Sequence, residues 1–214
     1  MRKVALIDYS SSSVSLLIAK TEGSVMESIL HTRTPLSFAG SVYQDRKLTE
    51  IEIPELLDIT DSFIITCKEN GVSNLYAIAS ANLASVKGID DILALVTEKT
   101  GLGIYKLDMA TEAEARIFAN ERYSILPHST LIDFGSITTK IYSFSDYISS
   151  VPIGPLTLGK DYVSEVIPTR TEAKRMKVAI KEALDEANLP EEGFFENAVL
   201  AGVYAWTIYQ LYAE

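Results

Sequence analysis

The segment Leu6-Ile7-Asp8-Tyr9-Ser10-Ser11-Ser12-Ser13 returns 125 residues later as Leu131-Ile132-Asp133-Phe134-Gly135-Ser136-Ile137-Thr138. Leu, Ile, Asp and the second Ser are identical, Tyr meets Phe, and Ser13 meets Thr138. Each copy is an apolar strand ending in Asp, an aromatic residue, a turn of small residues and a second strand. A repeat of this spacing, used twice, describes a duplicated domain rather than a solenoid.

Periodicity fills in the rest of both copies. Strands are expected over 3–9, 14–20 and 25–33 as an antiparallel meander, with 21–24 as a turn. A helix is expected over 52–69, where Leu56, Thr60, Phe63, Ile64 and Cys67 share one face. Pro54 suits its first turn and Asn70-Gly71 its end. A strand over 75–80, a helix over 90–99 closed by Gly101, and a short strand over 104–107 follow. Thr111 with Glu114 reads as a capping box opening a helix over 111–122. Pro127-His128 begins the second domain, so the domains are 1–126 and 127–214. Beyond it come strands over 130–134, 138–143 and 147–152, and a helix over 171–187 whose capping box is Thr169 with Glu172. A strand over 198–201 and a helix over 204–212 finish the chain. Strands alternating with helices in both halves define an α/β fold.

The two hairpins, at 8–15 and 133–140, suggest a chemistry. A tight turn of small residues presents backbone N–H groups that cradle phosphate. Ser11, Ser13, Gly135, Thr138 and Thr139 are the candidate binding residues, the hydroxyls adding donors. Asp8 and Asp133 are candidate Mg²⁺ ligands, since a carboxylate at a strand end can hold a hydrated Mg²⁺ beside a phosphate. Each hairpin alone is also what Ser, Gly and Asp make as a plain turn; the duplication favours the ligand site.

Composition restricts the partners. The chain is 47% hydrophobic, enough for a real core, and its formal net charge is −10. That field opposes nucleic acid and anionic membranes, leaving a small phosphate or nucleotide ligand. One cysteine, Cys67, allows no internal disulfide and reads as a core thiol on a helix face. No apolar run approaches the roughly 18 residues of a membrane span, and the run Val4–Ile7 is too short for a signal peptide; a cytoplasmic location is expected. Gly101-Leu102-Gly103 lacks the third glycine of a dinucleotide loop and reads as a helix end. His31 and His128 have no partners at zinc-ligand spacing. Arg170, Lys174, Arg175, Lys177 and Lys181 read as a solvated face. The aromatic segment 204–212 is expected to pack mostly on its own domain, part of it serving as a candidate homodimer surface.

The paired hairpins resemble those of the actin, sugar-kinase and heat-shock-ATPase superfamily. Within it the chain resembles the exopolyphosphatase and guanosine pentaphosphate phosphatase (Ppx/GppA) family, in six segments that run in order. LIDYSSSSVSLLIA is similar to D-x-G-S-N-S-x-R-L, and NGVSNLYAIASANLASVKG to G-V-x-x-V-x-A-V-A-T-S-A-x-R-E-A-x-N. TGLGIYKLDMATEAEARIFA is similar to T-G-L … S-G-x-E-E-A-R-L, and LIDFGSITTKIYSF to D-I-G-G-G-S-T-E-L. VPIGPLTLG resembles S-L-P-L-G-A-V-R-L, and NAVLAGVYA the late G-G-T turn, beyond which longer members continue. The resemblance implies an actin-like ATPase (ribonuclease H-like) fold of duplicated domains, mixed sheets flanked by helices, and a Mg²⁺-dependent phosphohydrolase ancestry.

The departures point one way. The three family arginines expected to face phosphate are Ser15, Ala84 and Thr157 here, and the family's catalytic glutamate position is Ser85. Hairpin glycines are Ser10, Ser136 and Ile137, and the second hairpin's glutamate is Lys140. Phosphate recognition favours cationic forks, and Ile137 is a poor residue for a positive φ. Glu114 is the remaining candidate catalytic carboxylate, within Glu114-Ala115-Arg116. The expectation is a degraded phosphate site with weak or absent activity on polyphosphate or guanosine pentaphosphate. The alternatives are a Mg²⁺-dependent hydrolase of a small phosphoanhydride or nucleotide, with Glu114 orienting water, and a non-catalytic binding or assembly module.

Overall fold

The computed structural model describes residues 2–23, 25–36, 52–84, 86, 88–112, 115, 129–142, 148–189 and 196–212. The chain forms two compact units, Met1–Glu112 and Ala113–Glu214. The boundary expected at 127 lies outside the described residues.

The first unit is built on β1 (Arg2–Tyr9), β2 (Ser13–Glu22), β3 (Val25–Pro35), β4 (Asn74–Ala79) and β5 (Tyr105–Lys106), in sheet order β3-β2-β1-β4-β5. β1–β2 and β2–β3 pair antiparallel, while β1–β4 and β4–β5 pair parallel. The meander and the helix are where periodicity placed them: α1 spans Glu52–Glu69 and buries Leu56, Thr60, Phe63 and Cys67. Its end is a Schellman turn. Val72 N donates to Cys67 O and Gly71 N to Lys68 O, both at 3.0 Å, and Gly71 takes φ 65°. α3 (Ile89–Thr100) buries Ile92, Leu93 and Val96 and stops at Gly101, φ 71°. Both helices join Ile7, Tyr9, Val14, Leu16 and Ile18 in one core. Burial there pushes the Cys67 thiol up, as befits a core thiol.

Tyr9 ties the first hairpin to α1. Its hydroxyl lies 2.8 Å from Thr60 Oγ1, and Thr60 Oγ1 donates to Leu56 O at 2.7 Å. Thr60 has one hydroxyl proton, so Tyr9 is the donor in the pair. Burial pushes the Tyr9 phenol up to about 12, so this proton stays in place at physiological pH.

Two features of the first unit depart from expectation. A short helix α2 (Ala81–Ala84) follows β4 directly. The helix expected to start at Thr111 instead begins at 109. Asp108 is its cap: Asp108 Oδ1 accepts from Thr111 N at 2.7 Å, an Asp at N-cap being preferred over a Thr three residues inside. These bonds hold the Asp108 carboxyl below its usual range.

The second unit repeats the plan. β6 (Ser129–Phe134), β7 (Thr139–Tyr142), β8 (Ile148–Val151) and β9 (Asn197–Ala201) lie in the order β8-β7-β6-β9, with β6–β7 and β7–β8 antiparallel and β6–β9 parallel. α4 (Pro155–Tyr162) was not foreseen; α5 (Arg170–Glu186) carries the Thr169–Glu172 capping box as read from the sequence. α5 buries no residue, in keeping with a solvated basic face. α6 (Val203–Tyr212) departs from expectation. Ala205 is buried, but Trp206, Tyr209, Leu211 and Tyr212 are 59–88% exposed. Apolar residues surround this helix on all sides, and one sheet can cover only one stripe of them. Among the described residues, no helix is long and apolar enough to cross a membrane.

Candidate functional site

The duplication holds at the level of individual hydrogen bonds. Tyr9 pairs with Val14 and Asp8 with Ser15, while Phe134 pairs with Thr139 and Asp133 with Lys140. These are the same registers shifted by the 125-residue offset. Ser10 N donates to Ser13 O at 2.9 Å, and Gly135 N donates to Thr138 O at 3.0 Å, so both turns close with the same bond. A parallel strand flanks each central strand on the far side, β4 for Asp8 and β9 for Asp133.

In the first hairpin, residues opposite one another across a ladder share a sheet face. Asp8 on β1 stands opposite Ser15 on β2, which stands opposite Arg33 on β3. Ser13, two residues before Ser15, is on this face too. Carboxylate, hydroxyls and guanidinium therefore line one face, and the neighbouring Ile7, Tyr9, Val14 and Leu16 fill the core on the other. Ser11 and Ser13 are buried, and Asp8 is half-buried. Arg33 was not singled out in the sequence. Its Nε donates to Ser13 Oγ at 2.7 Å and its Nη2 to Ser12 Oγ at 3.4 Å. Only the strand register, which links 15 to 33, could have revealed it.

The second hairpin has a different character. Asp133 and Lys140 stand opposite one another and are 5% and 4% exposed. They share that face with buried Leu131, Tyr142 and Val199. The strain expected at Ile137 is absent: among the described residues only Asn188 is a non-glycine with positive φ, and Ile137 is buried instead. The close approaches fall at other glycines. A Cβ on Gly135 would lie 2.7 Å from Thr138 O, one on Gly154 2.4 Å from Ser136 O, and one on Gly202 2.6 Å from Phe134 O and 3.0 Å from Asp133 Oδ1. The first turn of α4 is thus seated on the hairpin loop, where Leu156 N donates to Ser136 O at 2.9 Å.

One hydroxyl read as a ligand group, that of Thr139, already has backbone work. Thr139 Oγ1 donates to Ile153 O at 2.8 Å. Thr157, which stands at a family arginine position, is buried and caps α4: its Oγ1 accepts from Gly154 N at 2.8 Å and donates to Gly154 O at 2.6 Å. Thr138 is half-buried at the turn. The candidate carboxylate Glu114 and the position Ser85 lie outside the described residues. A carboxylate overlooked in the sequence, Glu112, is 5% exposed, and its Oε2 accepts from Ala81 N at 2.8 Å at the start of α2. Among the described residues, no three acidic, His or Cys side chains gather as a metal cluster.

Two units, each opening with an Asp-bearing hairpin and a parallel strand beside it, make up the actin-like ATPase fold. The chain is similar to ethanolamine utilization protein EutJ from Carboxydothermus hydrogenoformans, with 13% identity, TM-score 0.51, and 98% of this chain and 80% of that one covered. It is more similar to a PPX-GPPA enzyme from Aquifex aeolicus, at 24% identity and TM-score 0.72, covering 98% of this chain and 71% of that one. An exopolyphosphatase from Cytophaga hutchinsonii gives 16% identity and TM-score 0.76, with 100% and 72% covered. The model of the Ppx/GppA phosphatase family matches residues 17–205, and the chain belongs to that family. No match to a curated protein sequence reaches significance.

Proposed function

We propose that the chain binds the phosphoryl groups of a phosphoanhydride, of the inorganic polyphosphate or guanosine polyphosphate kind, together with Mg²⁺, and hydrolyses it slowly. The observation that carries this reading is the repetition of register and turn bond in both hairpins, each with its Asp at the strand end. Family membership supports the chemistry. Slow turnover follows from position 85, where a serine replaces the family's carboxylate and leaves attacking water without that base.

The residues of the first hairpin fit Mg²⁺ better than those of the second. Mg²⁺ keeps several waters and takes one or two carboxylates plus phosphate oxygens. Half-buried Asp8 meets that need beside hydroxyl-bearing Ser15. Asp133 stands opposite buried Lys140 in the strand register, and a neighbouring cation disfavours a second one. Asp8 would therefore hold the ion, which would neutralise phosphate charge, and Lys140 would supply charge at the second hairpin.

Phosphate release from polyphosphate, guanosine pentaphosphate and ATP, with Mg²⁺ and with chelator, tests this. The expected result is weak, Mg²⁺-dependent release, lost in Asp8→Asn and raised about 100-fold by Ser85→Glu, the scale of a positioned base. Fast release by the unaltered chain, unchanged by Ser85→Glu, would refute slow turnover. Neither release nor binding of any of the three would refute the phosphate reading.

A further inference from the structure

We propose that Arg33 is the phosphate-binding cation of the first hairpin and that the serine run holds it in place. The inference rests on the phosphoanhydride reading above and assigns its ligand, a terminal phosphoryl group, to a residue outside the hairpin. Ser15 leaves the hairpin itself without a cation. Directly opposite Ser15, on the next strand, Arg33 supplies one on the same sheet face as Asp8 and Ser13.

The hydroxyl network gives the guanidinium a fixed position. Ser10 Oγ donates to Ser13 O at 2.8 Å, and Ser10 has no second hydroxyl proton to give. In the 3.0 Å contact between Ser10 Oγ and Ser13 Oγ, Ser13 is therefore the donor. Ser13 Oγ in turn accepts from Arg33 Nε at 2.7 Å. A continuous relay, Arg33 to Ser13 to Ser10 to the Ser13 carbonyl, locks the cation onto the same backbone turn that the Ser10 N–H closes. A guanidinium has five N–H donors, and among the described residues two of them are engaged, both by neutral hydroxyls. A phosphate oxyanion is a stronger acceptor than a hydroxyl and matches the guanidinium fork. The remaining donors are thus held beside the turn, with their orientation settled before a ligand arrives. Ser10, which stands at a family glycine position, is in this arrangement the anchor of the cation.

Calorimetric titration of the full chain with tripolyphosphate and with ATP, in the presence of Mg²⁺, tests the assignment. Arg33→Ala is expected to weaken both about tenfold or more, the loss of a charge-assisted fork. Arg33→Lys should recover only part of that, since an ammonium cannot make the fork, and Ser10→Gly should fall between the unaltered chain and Arg33→Ala. The exchange Arg33→Ser with Ser15→Arg, which moves the guanidinium one strand inward, should restore binding to within about threefold, and it should steepen the salt dependence that Arg33→Ala flattens. Melting curves check folding, and Arg33→Lys serves if Arg33→Ala does not fold. Binding by the unaltered chain that either Arg33 variant leaves within about twofold would overturn the assignment while leaving the phosphate reading intact. Absence of binding by the unaltered chain would overturn both.

Discussion

Single residues around the second hairpin are constrained by backbone contact more than by charge. Gly154 is the sharpest case, because a Cβ there would meet three backbone atoms of Ser136 and Ile137 at 2.4–2.5 Å. Backbone cannot rotate aside as a long side chain can. Gly154→Ala should therefore destabilise the protein by about 2–3 kcal/mol through overpacking, whereas Gly159→Ala, in open space within α4, should be neutral or stabilising. Chemical denaturation of the two variants compares them directly, and equal midpoints would contradict the packing. This constraint was hidden in the sequence. Gly154 precedes a proline like many loop glycines, and only the fold brings it onto residues 136–137. Thr157 was legible as a lost arginine but not as a helix cap, since its hydroxyl serves a backbone group three residues away. Arg33 was illegible for a similar reason: it is 18 residues from Ser15 in sequence and its direct neighbour in the sheet.

At the scale of elements, local rules were the readable ones. The α1 stripe, the Asn70-Gly71 and Gly101 stops and the Thr169–Glu172 box all depend on neighbours within a few residues, and all are formed. The short helices α2 and α4 escaped because four and eight residues are too few for periodicity to register. The Thr169–Glu172 box makes α5 sensitive to acid. Glu172 accepts from Thr169 N at 2.7 Å and Ser164 N at 3.0 Å. The Thr169 and Ser164 bonds lower its carboxyl from 4.5 to about 2. A depressed folded value means the bonds contribute stability above pH 4.5, and that contribution falls away as pH drops from 4.5 toward 2. Amide exchange at 170–173 should accelerate across that window in the unaltered chain, and Glu172→Gln should remove the pH dependence. An acceleration confined to pH above 5 would contradict this assignment.

For the molecule as a whole, the two units share a plan but not a core. The first gathers 17 buried residues, drawn from six strands and helices and from Leu36, into one cluster, whereas the described residues of the second gather Leu131, Tyr142 and Val199. The slowest-exchanging amides are expected in β1, β2 and β4, with β6 and β9 exchanging earlier; equal protection in both sheets would contradict that ranking. The plan itself was legible because duplication leaves a pattern that a single sequence can carry, Asp8 over Asp133. What became of each copy's charge was not, because it depends on which strand lies next to which. The positive charge of the first copy is on an edge strand, exposed, with no duty in the core; that of the second is Lys140, buried opposite Asp133 on an inner strand. Position 33 can accordingly change by single mutations that leave the fold standing, and position 140 cannot. Selection acting on how tightly this protein holds an anion thus has one free dial and one fixed one, and diversity among its descendants would collect at the first.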